Sequence, residues 1–169
     1  MFVDVRGFTA LSERLSPAEV AERLNRFYAL ATDAVFRRDG TLDKLVGDQV
    51  MAFFGAPIHE PDHARRAVET ALEIVRDVMA EETGLQVGAG VATGEAFVGN
   101  VGGAGVVDYT VLGDTVNTAA RLQGAAAAGE ILVTEESYAA VKEQFPNAPM
   151  RDLELKGKSG TVRARVIST

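Results

Sequence analysis

Residues 16 to 38, SPAEVAERLNRFYALATDAVFRR, carry the signal that most restricts how this chain can fold. Ser16 is placed to cap a helix, Pro17 falls at its first position and Glu19 completes a capping box. Val20, Leu24, Phe27, Tyr28, Ala31 and Val35 then recur at the helical period, Arg37 and Arg38 sit near the carboxyl end, and Gly40 is the expected stop. The period changes at once in residues 39 to 54, DGTLDKLVGDQVMAFF, where two alternating apolar runs flank Gly47-Asp48. Glycine there occupies the first turn position of a type II′ hairpin. Lys44 inside one run and Asp48 at the tip are either two solvated charges or groups that converge on something needing both signs.

The remaining pattern interleaves helices and strands without a strict βαβ repeat. A second helix is expected over about 60 to 82, where Ala64, Ala67, Val68, Ala71, Leu72 and Val75 share a face. LQVGAGVATG and EAFVGNVG read as strands separated by Thr93-Gly94, a third helix covers about 114 to 125, and ILVT (131–134) is another strand. EESYAAVKEQF forms a short helix, and two short strands flank KGKSG in the tail. The fold class is therefore α+β, one mixed sheet with helices packed on it, in a single domain spanning 1–169. MFVD resembles the last residues of a strand whose front half is missing, so the first strand is expected to be truncated.

Composition removes several functions. With 47% hydrophobic and 24% charged residues the chain is an ordinary globular protein, and its net charge of −7 opposes a broad grip on nucleic acid. It has no cysteine, so neither disulfides nor thiolate metal sites are available. His59 and His63 have metal-like spacing but Pro61 lies between them and no third ligand is evident, so they read as residues at a helix start. No stretch has the length of a membrane span, and the default location is cytoplasmic, with a membrane anchor in a longer parent protein left open.

Chemistry is concentrated in three stretches. FVDVRGFT ends a strand at Asp4, and if that strand neighbours the hairpin, Asp4 and Asp48 meet at one sheet edge. Two carboxylates without histidine or cysteine suit a hard cation such as Mg²⁺ that takes further oxygens from phosphates. Gly7, Phe8 and Thr9 open a short helical segment whose backbone N–H groups either face an anion or merely form a tight turn with Phe8 in the core. In DYTVLGDTVNTAARL (108–122), Asn117 and Arg121 are four apart and share a helix face, either in solvent or set to orient a sugar and neutralise phosphate. The glycines of GNVGGAG (99–105) lack the Lys-Ser/Thr ending of a P-loop and read as a flexible connection.

These stretches, together with DHARRAVETAL, TGEAFVGNVG and ELKGKSG, resemble in order and spacing the class III nucleotidyl cyclase catalytic domain, the adenylate and guanylate cyclase family. The resemblance implies a palm-like α+β domain with a ferredoxin-like core, working as a head-to-tail homodimer whose sites lie in the interface. By the same resemblance Asp4, Asp48 and the Val5 carbonyl would hold two Mg²⁺ or Mn²⁺ ions per site. Gly7, Phe8, Thr9 and Lys156 would bind the triphosphate, and Asn117 and Arg121 would stabilise the transition state from the other subunit. Lys44 falls at the base-reading position, where a lysine suits the N1 acceptor of adenine and a glutamate suits guanine, and Thr110 falls at the second such position. The implied activity is cyclisation of ATP to cyclic AMP and pyrophosphate. A silent nucleotide-binding regulatory domain and a guanylate cyclase are the alternatives, and a regulatory or sensor domain would lie outside these residues. The chain departs from the family pattern at Glu95, where some members carry a phosphate-binding arginine, and at Val106 and Val107, where bacterial relatives often carry an arginine.

Overall fold

The computed structural model of the protein describes residues 1–154 and 161–168; the KGKSG segment, and Lys156 with it, lie outside the described residues. Helix α1 (Phe8–Ser12) is one short turn, and α2 (Pro17–Phe36) begins where its cap dictates. The Ser16 hydroxyl accepts from the Glu19 amide at 3.3 Å while the Glu19 carboxylate accepts from the Ser16 amide at 2.8 Å. The stop differs from expectation. Asp39, not Gly40, takes the left-handed conformation at φ 54°, and the Gly40 amide donates back to the Val35 carbonyl at 3.0 Å. Gly40 is required for space instead, since a Cβ there would lie 2.5 Å from the Phe54 ring.

The main sheet is built from β1 (Phe2–Val5), β2 (Thr41–Val46), β3 (Gln49–Phe53), β4 (Val87–Val91), β7 (Glu130–Thr134), β8 (Met150–Glu154) and β9 (Thr161–Ser168). Their order is β2-β3-β1-β4-β7-β9-β8, with β4–β7 parallel and the other pairs antiparallel. Gly47 has φ 61° while Asp48 stays out of the left-handed region, which fits the type II′ turn. Helix α3 (His63–Ala80) starts three residues later than its apolar period suggests, because Pro61 and Asp62 occupy the turn before it. Helix α4 (Asp114–Ala125) matches its expected span. Helix α5 (Glu135–Ala139) is shorter than expected, since Val141 donates to the Tyr138 carbonyl and the chain tightens into turns.

One expectation is corrected outright. The glycine-rich segment is no loose connection: the strand expected over EAFVGNVG is β5 (Phe97–Gly103), and it pairs with β6 (Val106–Leu112) in a separate two-stranded antiparallel sheet, turned through Ala104 and Gly105. The strand over 106 to 112 adds to the expected elements, and the described residues form one mixed sheet plus this hairpin.

Strand β4 shows how the layers are arranged. All five of its residues are buried, so both faces are covered. Val87, Ala89 and Val91 join Val3, Val5, Val50, Ala52 and the stripe Ala67, Val68, Ala71, Ile74, Val75 of α3 in the larger core, which α2 closes with Phe27, Ala31, Ala34 and Val35. On the opposite face Gly88 and Gly90 receive α4, whose Leu122 packs with Ala126, Leu132, Ala164 and Val166 in a second cluster. No helix among the described residues is long and apolar enough to cross a membrane.

The contact at Gly90 leaves no room for a methyl group. An added Cβ would lie 2.2 Å from the Gln123 amide nitrogen and 2.3 Å from the Ala119 carbonyl oxygen, both backbone atoms of α4. Gly90→Ala is therefore expected to destabilise the protein by about 3 kcal/mol, the upper range for overpacking, measured as a shift in the urea midpoint at unchanged slope.

Candidate active site

Alternation along β1 sends Val3 and Val5 into the larger core and Asp4 to the α4 face. Asp4 pairs in register with Gln49, and the Val5 amide donates to the Asp48 carbonyl at 3.1 Å, so the hairpin tip stands beside the end of β1. The two carboxylates expected to meet do meet. Burial first, and then the adjacent Asp48 carboxylate, push the Asp4 carboxyl up to about 6, against the opposing pull of the Arg6 guanidinium and the Gln123 amide. Asp4 Oδ2 accepts from Gln123 Nε2 at 2.9 Å and lies 3.1 Å from the Arg6 guanidinium, whereas Oδ1 is buried with no hydrogen-bond partner.

An orphaned carboxylate oxygen beside a second carboxylate is an oxygen donor set of the kind a hard divalent cation fits. Among the described residues no group of three or more His, Cys, Asp or Glu assembles, so any further ligands at this edge would come from water, backbone carbonyls or a bound phosphate. Next to it, Gly7 adopts φ 68° and opens α1, where Gly7 and Thr9 are exposed and Phe8 is half-buried against the larger core. The first-turn amides of a helix have no intrahelical acceptor, so this turn presents donors beside the carboxylates.

Two residues that sequence reasoning passed over hold this edge in place. Arg6 donates through Nη1 to the carbonyls of Gln123 (3.2 Å) and Ala126 (3.3 Å) in the closing turn of α4, tying the helix terminus to β1. The buried Gln123 donates to Asp4 and accepts from Gln49 Nε2 at 3.2 Å. A glutamine among Ala119, Leu122 and Ala126 on the buried stripe was the one available signal, because a buried amide needs partners.

Asn117 and Arg121 stand on the other side of α4. Residues two apart on a helix differ by roughly 200°, so Arg121 points away from the face that carries Gln123 to Asp4. Asn117 is exposed and Arg121 half-buried, and neither side chain makes a hydrogen bond or ion pair with the described residues. Thr118, Ala119, Leu122 and Gln123 are the buried positions of the same helix.

A third cluster joins β2 to β6. The β2–β3 register shifts between Leu42 and Lys44, a bulge centred on Asp43. In a regular strand Asp43 and Lys44 would face opposite sides; the bulge brings them to one side. Lys44 Nζ donates to Asp43 Oδ1 at 3.1 Å and closely to Asp108 Oδ2, and Thr110 Oγ1 donates to Asp43 Oδ2 at 2.7 Å. Lys44 and Thr110, 66 positions apart, thus share one carboxylate. Sequence reasoning singled out both but missed Asp43, since only the bulge turns it toward them.

The carboxylate edge has a pH signature in cation-free protein. With its carboxyl raised from 3.8 to about 6, Asp4 binds more protons in the folded state than in the unfolded state across that window. Its contribution to stability therefore falls as pH rises from 3.8 to about 6. Asp48→Asn removes the neighbouring charge and is expected to flatten the dependence of melting temperature on pH in this window. The same substitution should raise stability at pH 7.5 by about 1 kcal/mol, with calorimetry in chelator as the check.

Comparison with known proteins agrees with this architecture. The adenylate and guanylate cyclase catalytic domain family matches residues 1–168. The chain is 32% identical to adenylate cyclase 1 of Rhizobium meliloti (strain 1021) over 94% of its own length and 25% of that protein's, and it spans about a quarter of the length of the curated relatives it matches. Among solved structures, the guanylyl cyclase Cya2 superposes with a TM-score of 0.87 at 33% identity, covering 98% of this chain and 88% of that one. The adenylyl cyclase CyaB from P. aeruginosa gives 0.85 at 33% identity over 99% and 92%. The sheet with its carboxylate edge, the α4 seat and the family match over nearly the whole chain lead to one statement: this chain belongs to the adenylate and guanylate cyclase catalytic domain family.

Proposed function

We propose that this domain cyclises ATP to 3′,5′-cyclic AMP and pyrophosphate at sites shared between two copies of the chain in a head-to-tail homodimer. The observation that carries the choice of nucleotide is the convergence of Lys44 and Thr110 on one carboxylate. A lysine ammonium donates to the N1 acceptor of adenine, whereas the protonated N1 of guanine would meet a donor with a donor. A guanylate cyclase reading has no such pairing to support it.

Asp4 and Asp48, with the Val5 carbonyl, are the groups that would hold Mg²⁺ or Mn²⁺. When bound, such ions neutralise phosphate charge and make the ribose 3′-hydroxyl more acidic. The amides of Gly7, Phe8 and Thr9 donate to the triphosphate, and Lys156 adds a cation to it. The 3′ oxygen forms a bond to the α-phosphorus, the bond from that phosphorus to its bridging oxygen breaks, and pyrophosphate leaves while the hydroxyl proton passes to solvent. Asn117 orients the ribose and Arg121 donates to the oxygens of the transferring phosphorus, so no protein nucleophile is needed.

The direction of α4 supports the dimer. Gln123 turns toward Asp4 of its own chain, so Arg121 lies on the face of α4 turned away from that carboxylate edge, which favours a nucleotide met by Arg121 of another copy. A second copy, supplying its α4 to the first copy's carboxylates, completes each site.

Product formation from ATP and from GTP, with Mg²⁺ or Mn²⁺ at high protein concentration, tests the reading. Cyclic AMP in large excess over cyclic GMP is expected; absence of any cyclic product from a dimer that binds nucleotide would leave a silent regulatory domain instead. Arg121→Ala should lower kcat by about 10²- to 10³-fold with little change in KM, as for loss of one group that stabilises transition-state charge.

The shared site has its own test. Asp48→Ala and Arg121→Ala are each expected to be nearly inactive alone. Random pairing of equal amounts makes half the dimers mixed, each with one intact site of two, so roughly a quarter of wild-type activity should return. Mixed dimers, verified by differential tags, that stay inactive would contradict the arrangement.

A further inference from the structure

We infer that Asp43 is the residue that sets base specificity, by fixing the hydroxyl orientation of Thr110 and the position of the Lys44 ammonium. This deepens, and rests on, the reading of the site as one for ATP. The Asp43 side chain is fully buried, at 0% exposure, on the bulge of β2, and its two oxygens are divided between two partners. Oδ2 accepts from Thr110 Oγ1 at 2.7 Å and Oδ1 from Lys44 Nζ at 3.1 Å. A carboxylate paired with an ammonium is acceptor-only, so the hydrogen in the Thr110 contact belongs to the threonine.

The consequence is directional. Threonine has a single hydroxyl proton, and with that proton committed to Asp43 its oxygen can meet a ligand only as an acceptor. Lysine has three donors, of which Asp43 and Asp108 take two, leaving one uncommitted. The cluster therefore shows an adjacent donor and acceptor. The adenine edge offers the complement, N1 as acceptor and the 6-amino group as donor, while guanine offers N1–H and O6 in the opposite order. Asp108 does not share this role: its side chain is 64% exposed and holds Lys44 from the solvent side.

Thr110 alone would not discriminate, because a free hydroxyl rotates to donate to O6 as readily as it accepts from an amino group. Asp43 removes that freedom. It acts through Thr110 and Lys44 and touches no substrate atom, which makes it a positioning residue.

The test compares wild type, Asp43→Asn, Asp43→Ser, Thr110→Val and Asp43→Asn/Thr110→Val in kcat and KM for ATP and GTP. Equilibrium binding of mant-ATP and mant-GTP and thermal unfolding accompany the kinetics. The asparagine amide can donate to Thr110 and free its proton for O6. Asp43→Asn is therefore expected to lower kcat/KM for ATP by roughly tenfold, mostly through KM, and to raise the GTP-to-ATP ratio of kcat/KM and of binding by a similar factor. In the Thr110→Val background the same change should move the ratio by less than about twofold, because the group it acts through is gone. Asp43→Ser serves the same comparison should the amide variant unfold. A wild type that favours ATP together with folded variants of unchanged ratio overturns this inference alone. A wild type that favours GTP overturns the ATP reading as well. Unfolding of both Asp43 single variants would make Asp43 a strand-stabilising group and overturn its specificity role.

Discussion

Helix α4 lies so close to β4 that its backbone fills the place where a side chain of Gly90 would stand, and much of the site depends on that seat. Two glycines on one face of a doubly buried strand let the helix axis approach until Gln123 reaches Asp4 and Arg6 reaches the helix's last carbonyls. A bulkier residue at either position would lift α4 and break those bonds together. The same seat fixes which way Asn117 and Arg121 face, so one packing contact determines the setting of the carboxylates and the availability of the guanidinium.

The site is held under electrostatic tension at one edge and paired at another. At the β1–β3 edge two carboxylates lie together with one buried oxygen unpartnered, an arrangement that costs stability and that a cation would relieve. At the β2–β6 junction the buried carboxylate is paired: Asp43 meets both an ammonium and a hydroxyl. The first arrangement suits a group that waits for a ligand, and the second suits a group that must not move when one arrives.

A bulge separates these two uses of the same hairpin. Without it, β2 would present Asp43 and Lys44 to opposite faces, and Thr110 on β6 would have no acceptor. The hairpin β5–β6, outside the main sheet, delivers Thr110 and Asp108 to β2 while Tyr28 holds the turn end through a hydrogen bond from its hydroxyl to the Gly47 carbonyl. The tip with Asp48 and the middle with Lys44 are thus set by independent contacts.

Local physical chemistry written in the sequence was enough for α2 with its Ser16–Glu19 box, for the Gly47 turn, for the span of α4 and for the meeting of Asp4 with Asp48. The first three rest on interactions between near neighbours or on alternation that a single strand displays, while the meeting of Asp4 with Asp48 also needed β1 to pair with β3. The strand EAFVGNVG was legible, but its continuation through Gly103 and its pairing with residues 106 to 112 are visible only when both strands are placed. Gly40, Gly90, Gln123 and Asp43 could be understood only in the fold, since each answers to an atom distant along the chain: the Phe54 ring, the α4 backbone, the Asp4 carboxylate and the Thr110 hydroxyl. Periodicity encodes which face a residue takes, while close approach and the sharing of a proton depend on distances that only tertiary packing sets.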